Sequence, residues 1–318
     1  MLSAALDVTK PLTPKRPSLA TCNAMNPTKA FQRWHVGDVT ITRIIEMEVT
    51  GGTRFILPQA TPEAIADMPW LVPHFATAEG KLIMSIHALV IETQDRLMLV
   101  DTCIGNDKDR AIPNWHQLAL PFLEDLAAAG YEPTQFDTVM CTHLHVDHVG
   151  WNTRLVDDIW VPIFPNARYL IAKEEFQYWQ GAGPDDRGDD IFADSVAPVM
   201  AAGLIDLIAP DHQVSSEVRL MPTPGHTPGH VSVHIESRGE RAIITGDCIH
   251  HPCQIEKLDW ASSADYDATM ATETRKTLLS ETVDTDVLII GTHFATPTAG
   301  HIKRNKGQYY LQPQTESL

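Results

Sequence analysis

The pattern of hydrophobic and polar positions predicts a chain of 318 residues built mainly from short strands with a few helices. Residues 38–49 alternate and then become apolar, and the runs at 86–93 and 96–102 predict a hairpin that turns at Gln94 and Asp95. Helices are predicted at 121–130, where a proline lies near the start and Gly130 at the end, at 173–181, and from Asp265 to about Glu281. There is no internal repeat of 20–50 residues and no linker after residue 30. The pattern therefore predicts one domain over residues 31–318.

Four of the predicted strands lead into a residue of the kind that binds metal ions. The run 136–142 leads into a segment, 143–148, that contains three histidines and an aspartate. Strand ends are rigid and position ligands better than loops do, so four such coincidences indicate one shared site. The candidate ligands in these places are His143, His145, Asp147, His148, His226, Asp247 and His293.

The residue types define the chemistry of this predicted site. Imidazole and carboxylate ligands suit zinc and similar divalent ions, whereas calcium and magnesium prefer oxygen ligands alone. Five histidines and two aspartates are too many for one tetrahedral ion, but they fit two ions that share a bridging carboxylate. Zinc is the default prediction, with manganese, iron and cobalt as alternatives. The absence of a Cys-x-x-Cys pair argues against a structural zinc finger.

Composition narrows the partners that we expect. A hydrophobic content of 43% predicts a folded chain, and a formal net charge of −17 disfavours nucleic acids and anionic membranes. Five cysteines without a paired framework indicate reduced thiols. No secretory signal and no membrane-length apolar run is visible, so we expect a cytoplasmic protein. Residues 1–30, with four prolines between Pro11 and Pro27, predict an extended arm or a tail, and a homodimer is left open.

The segment 143–148 (HLHVDH) matches the HxHxDH motif of the metallo-β-lactamase superfamily, which this chain resembles over roughly residues 35 to 312. His226, Asp247 and His293 follow in the order of that family. The resemblance implies an α/β fold, a four-layer αββα sandwich of two sheets with helices outside. Within the superfamily, residues 246–250 and 300–302 are similar to the branch of methyl parathion hydrolases and acyl-homoserine lactonases.

The resemblance also implies a role for each candidate ligand. His143, His145 and His226 would bind one ion, Asp147, His148 and His293 the other, and Asp247 would bridge them, with Asp147 and Asp247 as catalytic carboxylates. Asp101, at the end of the run 96–102, would orient a ligand imidazole from behind.

The leading functional hypothesis is a dinuclear metal hydrolase in which a metal-bound hydroxide attacks a small ester or lactone, with phosphotriesters as promiscuous substrates. Trp151 is expected at the pocket mouth and His250 near the substrate. Trp70, Phe75, Trp115 and Phe294 are candidates for further apolar walls, with core packing as the alternative for each aromatic. The alternatives are a thioesterase of the glyoxalase II kind, a β-lactamase and a redox enzyme such as a sulfur dioxygenase. A diiron electron-transfer protein, an RNA-processing relative and a non-enzymatic binding module are less favoured.

Overall fold

A computed structural model describes residues 31–183 and 188–314. The predicted arm at residues 1–30 lies outside the described residues. Within them the chain forms fifteen strands. In chain order these are β1 (Arg33–Val36), β2 (Val39–Thr50), β3 (Ile83–Glu92), β4 (Leu97–Val100), β5 (Thr138–Met140), β6 (Thr153–Val156), β7 (Ile159–Pro162), β8 (Arg168–Ala172), β9 (Ile205–Ile208), β10 (Val218–Pro222), β11 (Val231–Ser237), β12 (Glu240–Ile244), β13 (Leu288–Ile290), β14 (Ala299–Asn305) and β15 (Gln308–Pro313).

The described residues also contain six α-helices: α1 (Pro62–Ala66), α2 (Phe122–Ala128), α3 (Lys173–Ala182), α4 (Ala197–Ala201), α5 (Cys253–Glu256) and α6 (Ala268–Thr282). The longest, α6, begins where the carboxylate of Asp267 accepts a hydrogen bond from the backbone N–H of Met270 at 2.9 Å, which satisfies a free donor of the first turn. In the described residues, the structure contains no helix of the length and apolarity that a membrane crossing needs.

Two large sheets form the centre of the fold. The first has the strand order β1-β2-β3-β4-β5-β8-β9 and the second the order β10-β11-β12-β13-β14-β15, while β6 and β7 form a separate hairpin. β4, β5, β8 and β9 run parallel to one another, as do β12 and β13, and the remaining neighbours within the two sheets are antiparallel. Helical connections such as α2, between β4 and β5, are what parallel neighbours require.

The fold has four layers, with helices outside each of the two sheets, and an apolar core lies between each pair of adjacent layers. One core lies between the two sheets and contains Ile41 and Leu89 of the first sheet with Val233 and Ile244 of the second. A second core covers the outer face of the first sheet with side chains of α2 and α3, and a third covers the outer face of the second sheet with side chains of α5 and α6. Because both faces of each sheet are covered, strands such as β4 are buried throughout, as their continuous apolar runs require. The predicted αββα sandwich is confirmed.

Several candidate ligands lie at the carboxyl ends of parallel strands. β4 and β5 end at the same edge of the first sheet, and Asp101 and the segment 143–148 follow them directly. β12 and β13 end at the same edge of the second sheet, and they lead to Asp247 and His293. Carboxyl ends of parallel strands are the usual location of ligand sites in such sheets. The predicted hairpin of β3 and β4 and the predicted helices α2, α3 and α6 are also confirmed, with α6 beginning three residues later than expected.

Candidate metal centre

All seven candidate ligands converge in two adjoining clusters. In the first cluster, ligand atoms of His143, His145, His226 and Asp247 lie within 4.8 Å of one another. In the second, ligand atoms of Asp147, His148 and His293 do the same. Most of these side chains are buried, with Asp147 and His145 partly accessible. The sequence-predicted set is therefore one spatial site, built from four separate strand ends.

Asp247 lies between the two clusters and presents one carboxylate oxygen to each. Its Oδ2 is 3.3 Å from Nε2 of His226 and 3.7 Å from Nε2 of His143. Its Oδ1 is 3.1 Å from Nε2 of His293 and 3.3 Å from Nε2 of His148. This is the arrangement that a carboxylate bridging two cations needs.

A tight turn after β12 fixes the position of Asp247. The backbone N–H of Asp247 donates to Nε2 of His230 at 2.8 Å, and the hydroxyl of Thr292 donates to Oδ1 at 3.2 Å. Gly246 precedes it with a φ of +53°, and a Cβ there would lie 2.5 Å from the same His230 nitrogen, so the turn requires glycine. His230 therefore has a structural role in this turn.

The outer nitrogens of the ligand histidines are held by acceptors, which determines the tautomer of each ring. Nδ1 of His148 lies 2.8 Å from Oδ2 of Asp101, so this nitrogen carries the proton and Nε2 keeps its lone pair. The hydroxyl of Thr142 donates to Asp101 at 2.8 Å, which leaves its oxygen to accept from Nδ1 of His143 at 3.0 Å. Asp101 thus contacts His148 directly and orients His143 through Thr142.

Two further contacts complete this outer layer. Nδ1 of His226 donates to Oδ1 of Asp265 at 2.9 Å, and Nδ1 of His293 donates to the backbone oxygen of Ser85 at 3.0 Å. Asp265 and Ser85 were not predicted from the sequence, because neither lies in a motif or near a ligand along the chain.

The donor set fits divalent ions. With their outer nitrogens protonated, four histidines aim Nε2 lone pairs inward, and Nε2 of His143 and Nε2 of His226 lie 3.0 and 2.8 Å from Nδ1 of His145. A proton on Nδ1 of His145 could form a good hydrogen bond with only one of these two Nε2 atoms. A single cation could accept the lone pairs of all three nitrogens. Nε2 of His148 and Nε2 of His293 face each other at 3.2 Å in the same way. Converging imidazole nitrogens and carboxylate oxygens are the ligands that zinc prefers.

The electrostatics of the site favour a positive charge in it. Burial lowers the pKa of His143 and of His145 well below the ordinary value, so both rings are neutral and able to bind metal. Burial acts in the same direction on His148, but the carboxylates of Asp247, Asp101 and Asp147 outweigh it and raise the pKa of His148 well above the ordinary value. Without a metal ion a second proton therefore binds at Nε2, and a cation would take the place of this proton and leave the Nε2 lone pair as its ligand. Burial would raise the pKa of Asp247, yet the surrounding histidines, His293 first, hold that pKa well below its usual range.

A cavity of about 730 Å³ opens onto these clusters. Its described walls include Asp147, His226, Asp247, His250 and His293 at one end and a set of aromatic and aliphatic side chains around them. This apolar set comprises Val49, Phe55, Ile56, Met84, Ile86, Ile112, Trp115, Val146, Tyr178, Trp179, Ile191 and Tyr266. Among the described lining residues there is no lysine or arginine.

The prediction that Trp151 lies at the pocket mouth is wrong. Trp151 is only 4% exposed and does not line the cavity. Its ring stacks on Phe122 of α2 with centroids 5.4 Å apart, and its Nε1 donates to the buried carboxylate of Glu46 at 2.7 Å. The tight turn at residues 150–152 directs the side chain into the core that covers the outer face of the first sheet, away from the adjacent ligands.

For Phe294, Phe75 and Trp70 the structure shows core packing, and they do not line the cavity. Phe294 and Phe75 are fully buried and pack edge to face with centroids 6.3 Å apart in the core outside the second sheet. Trp70 packs on this core and donates through Nε1 to Glu256 at 2.8 Å. Trp115 and His250 do line the cavity, as predicted.

His250 has an unusual environment. It is 1% exposed, and neither ring nitrogen has a hydrogen-bond partner among the described residues. Its Nε2 lies 3.4 Å from Oδ2 of Asp247, and burial lowers the pKa of this imidazole to about 3, so the ring is neutral. An unpartnered buried polar group at a cavity wall is available to a ligand.

Comparison with known proteins agrees with the fold and the motif. A family model described as the metallo-beta-lactamase superfamily matches residues 84–293. Curated relatives include an N-acyl homoserine lactonase from Bacillus sp., 29% identical over 181 residues, and one from Bacillus thuringiensis, 24% identical over 185 residues. These matches cover 52% and 53% of this chain and 64% and 66% of the relatives, so they span less than two thirds of the relatives' own length.

Solved structures show the same architecture. A structure described as AidC, a dizinc quorum-quenching lactonase in complex with a product, has a TM-score of 0.75 and 22% identity, and the match covers 90% of this chain and 98% of that one. A structure described as hydrolase AbOPH of the beta lactamase superfamily has a TM-score of 0.72 and 24% identity, with coverage of 89% and 97%. Because the family model spans more than half of its residues, this chain belongs to the metallo-β-lactamase superfamily.

Proposed function

We propose that this member of the metallo-β-lactamase superfamily is a dinuclear metal hydrolase that opens lactones or cleaves small neutral esters. The observation that carries the proposal is the position of Asp247, whose Oδ2 faces one cluster of histidines and whose Oδ1 faces the other. Two relatives are N-acyl homoserine lactonases, and this similarity supports a lactone as substrate.

In this proposal each cluster binds one ion. His143, His145 and His226 would hold the first, Asp147, His148 and His293 would hold the second, and Asp247 would be shared by both. Zinc suits these ligands best. When bound, two such ions activate water for attack and polarise the bond that is cleaved.

The side chains around the ions bind the substrate and move protons. Asp147 lines the cavity with a partly accessible carboxylate, and it takes the proton that the attacking water gives up. His250 is neutral and unpartnered, so the one ring nitrogen that carries a proton can donate it to the carbonyl or ring oxygen of the substrate. The water oxygen adds to the carbonyl carbon, the bond from that carbon to the ester oxygen breaks, and Asp147 passes its proton to the departing oxygen. The products are a hydroxyl group and a carboxylic acid, which ionises.

The cavity walls favour neutral substrates with an apolar part. Trp115, Tyr178 and Tyr266 offer aromatic surface away from the ligands, and the described lining contains no basic side chain to attract a polyanion. Phosphotriesters are neutral as well and are proposed as promiscuous substrates. Phosphodiesters and nucleic acids carry charge that the walls do not compensate.

A substrate panel with a metal analysis tests the proposal. Purified protein is expected to contain about two divalent ions per chain, and kcat/KM is expected to be highest for a neutral acyl lactone or aryl ester, lower for a phosphotriester and lowest for a phosphodiester. A thioester and a β-lactam in the same panel separate the alternative activities. A content of no more than one ion after zinc supplementation, or a clear preference for the phosphodiester, would contradict the proposal.

A further inference from the structure

The carboxylate of Glu175 is buried at the start of α3 and accepts hydrogen bonds from two different loops. The side chain is 1% exposed, and it forms no ion pair with a lysine or arginine of the described part of the chain. Its charge is instead met by four N–H and O–H donors. Burial raises its pKa, and the donors oppose that rise. A buried carboxylate is costly unless its hydrogen bonds are made, so these contacts constrain the donors.

The first loop is the one that carries the HxHxDH motif. Oε1 of Glu175 accepts from the backbone N–H of Leu144 at 2.9 Å. Leu144 lies between His143 and His145, so the hydrogen bond fixes the backbone from which both rings project. The Leu144 side chain is buried in the core that covers the outer face of the first sheet, so the peptide at Leu144 has little freedom to move.

The second loop carries His226. Oε2 of Glu175 accepts from the hydroxyl of Thr227 at 2.6 Å and from the backbone N–H of Gly229 at 3.1 Å. At Gly229 the two segments are in close contact, because a Cβ there would lie 2.2 Å from the backbone nitrogen of Glu175. One carboxylate therefore joins the loop of His143 and His145 to the loop of His226.

A fourth donor extends the connection to a ligand ring. Nε1 of Trp179, one turn further along α3, donates to Oε1 of Glu175 at 2.7 Å. The Trp179 ring contacts the ring of His145 edge to face, with centroids 5.3 Å apart. For His145, no hydrogen bond to an acceptor outside the cluster is found among the described residues, so this aromatic contact supplies its support.

We infer that Glu175 is a positioning residue for the first ion, holding His143, His145 and His226 at the separation that a single ion requires. The inference rests on the proposed function and adds to it, because Asp101 and Asp265 orient individual ligand rings, whereas Glu175 fixes the backbone of the two loops that carry the first cluster. Loss of such an outer partner commonly weakens metal binding by about 10–100-fold.

The test is Glu175→Gln, compared with Glu174→Gln as a matched control on the exposed side of the same helix. The glutamine keeps the shape but has one acceptor oxygen in place of two, so one of the two loops loses its contact. Zinc affinity is measured by chelator competition in two backgrounds. His293→Ala leaves the first cluster intact, and His226→Ala leaves the second.

The expected result is a loss of about 10–100-fold in zinc affinity for E175Q in the His293→Ala background and no change in the His226→Ala background. Without metal, hydrogen exchange should be faster in peptides that contain Leu144 and Gly229, which a general loss of stability would not confine to these loops. The inference would be overturned if the first cluster bound zinc with equal affinity in E175Q and in E174Q. If E175Q does not fold, Thr227→Val removes one donor, and an unchanged affinity of the first cluster would overturn it equally.

The two proposals fail in different ways. If the unmodified protein binds no more than one ion, the proposed function is wrong. If it binds two and E175Q binds both with unchanged affinity, the proposed function stands and the role of Glu175 is wrong.

Discussion

Nδ1 of His226 lies 2.9 Å from Oδ1 of Asp265, and each of the two side chains is 1% exposed. The two residues are separated by 39 positions in the chain, and the contact joins the loop after β10 to the segment that precedes α6. The second oxygen of Asp265 accepts from the backbone N–H of Ser262 at 2.8 Å, so the carboxylate is itself fixed. Its effect is to keep the proton of His226 on the outer nitrogen and the lone pair toward the first cluster.

We predict that Asp265→Asn weakens metal binding and activity by about 10–100-fold. The asparagine amide can present an N–H to His226, which favours the wrong tautomer of the ring. Zinc affinity by chelator competition checks the prediction. Asp259→Asn, on an exposed aspartate just before it in the chain, is the control. Equal zinc affinity in D265N and D259N would show that Asp265 does not orient His226.

Asp247→Asn should reduce kcat/KM at least about 100-fold while the fold survives. The change removes the negative charge between the two clusters, whereas the shape of the side chain and its backbone hydrogen bond to His230 remain. Steady-state kinetics with a lactone and circular dichroism are the measurements, with the exposed Asp286→Asn as control. A variant with near wild-type turnover would exclude Asp247 as the bridging ligand.

Truncation of Trp151 should affect stability, whereas truncation of Trp115 should affect substrate binding. Trp151→Ala is expected to lower the free energy of unfolding by about 3–5 kcal/mol, because a buried ring stacked on Phe122 is removed. Trp115→Ala is expected to raise KM for an acyl lactone with little loss of stability, because Trp115 is partly exposed and lines the cavity. Denaturant unfolding and kinetics on both variants check this. A raised KM with full stability in Trp151→Ala would mean that the ring faces the substrate.

The buried carboxylate of Glu46 should make stability depend on pH. Burial raises its pKa from 4.5 to about 7, against three hydrogen bonds from Ile104, Gly105 and Trp151 that lower it. The folded chain therefore binds this proton more tightly than the unfolded chain. The resulting stabilisation is complete below about pH 4.5 and is lost as the pH rises through about 7.

Unfolding by denaturant between pH 5 and 8, after removal of metal by a chelator, measures this dependence. Glu46→Gln should flatten the decline, because glutamine does not titrate in this range. Glu124→Gln, on the exposed side of α2, should leave it unchanged. An identical slope in E46Q and the unmodified protein would contradict the assignment.

The sequence by itself determined the strands that lead to the ligands, the family and the set of seven candidate ligands. These could be predicted because the relevant information is local: an apolar run predicts a strand, and the residue that follows the run lies at the end of that strand. Asp101 was predictable for the same reason, since it comes immediately after β4, just as His143 comes shortly after the end of β5, with two residues between. The HxHxDH segment needs no distant partner to be recognised.

Only the tertiary structure decided which residues support the ligands and which form the cavity. Asp265 reaches His226 and Glu175 reaches Leu144 across 39 and 31 positions, and neither contact leaves a pattern in the local sequence. Trp151 follows His148 by three residues, yet its ring turns into the core because Phe122 and Glu46 offer it a stacking surface and an acceptor there. The direction of a side chain after a tight turn is set by what packs against it, and packing brings together residues that are far apart in the chain.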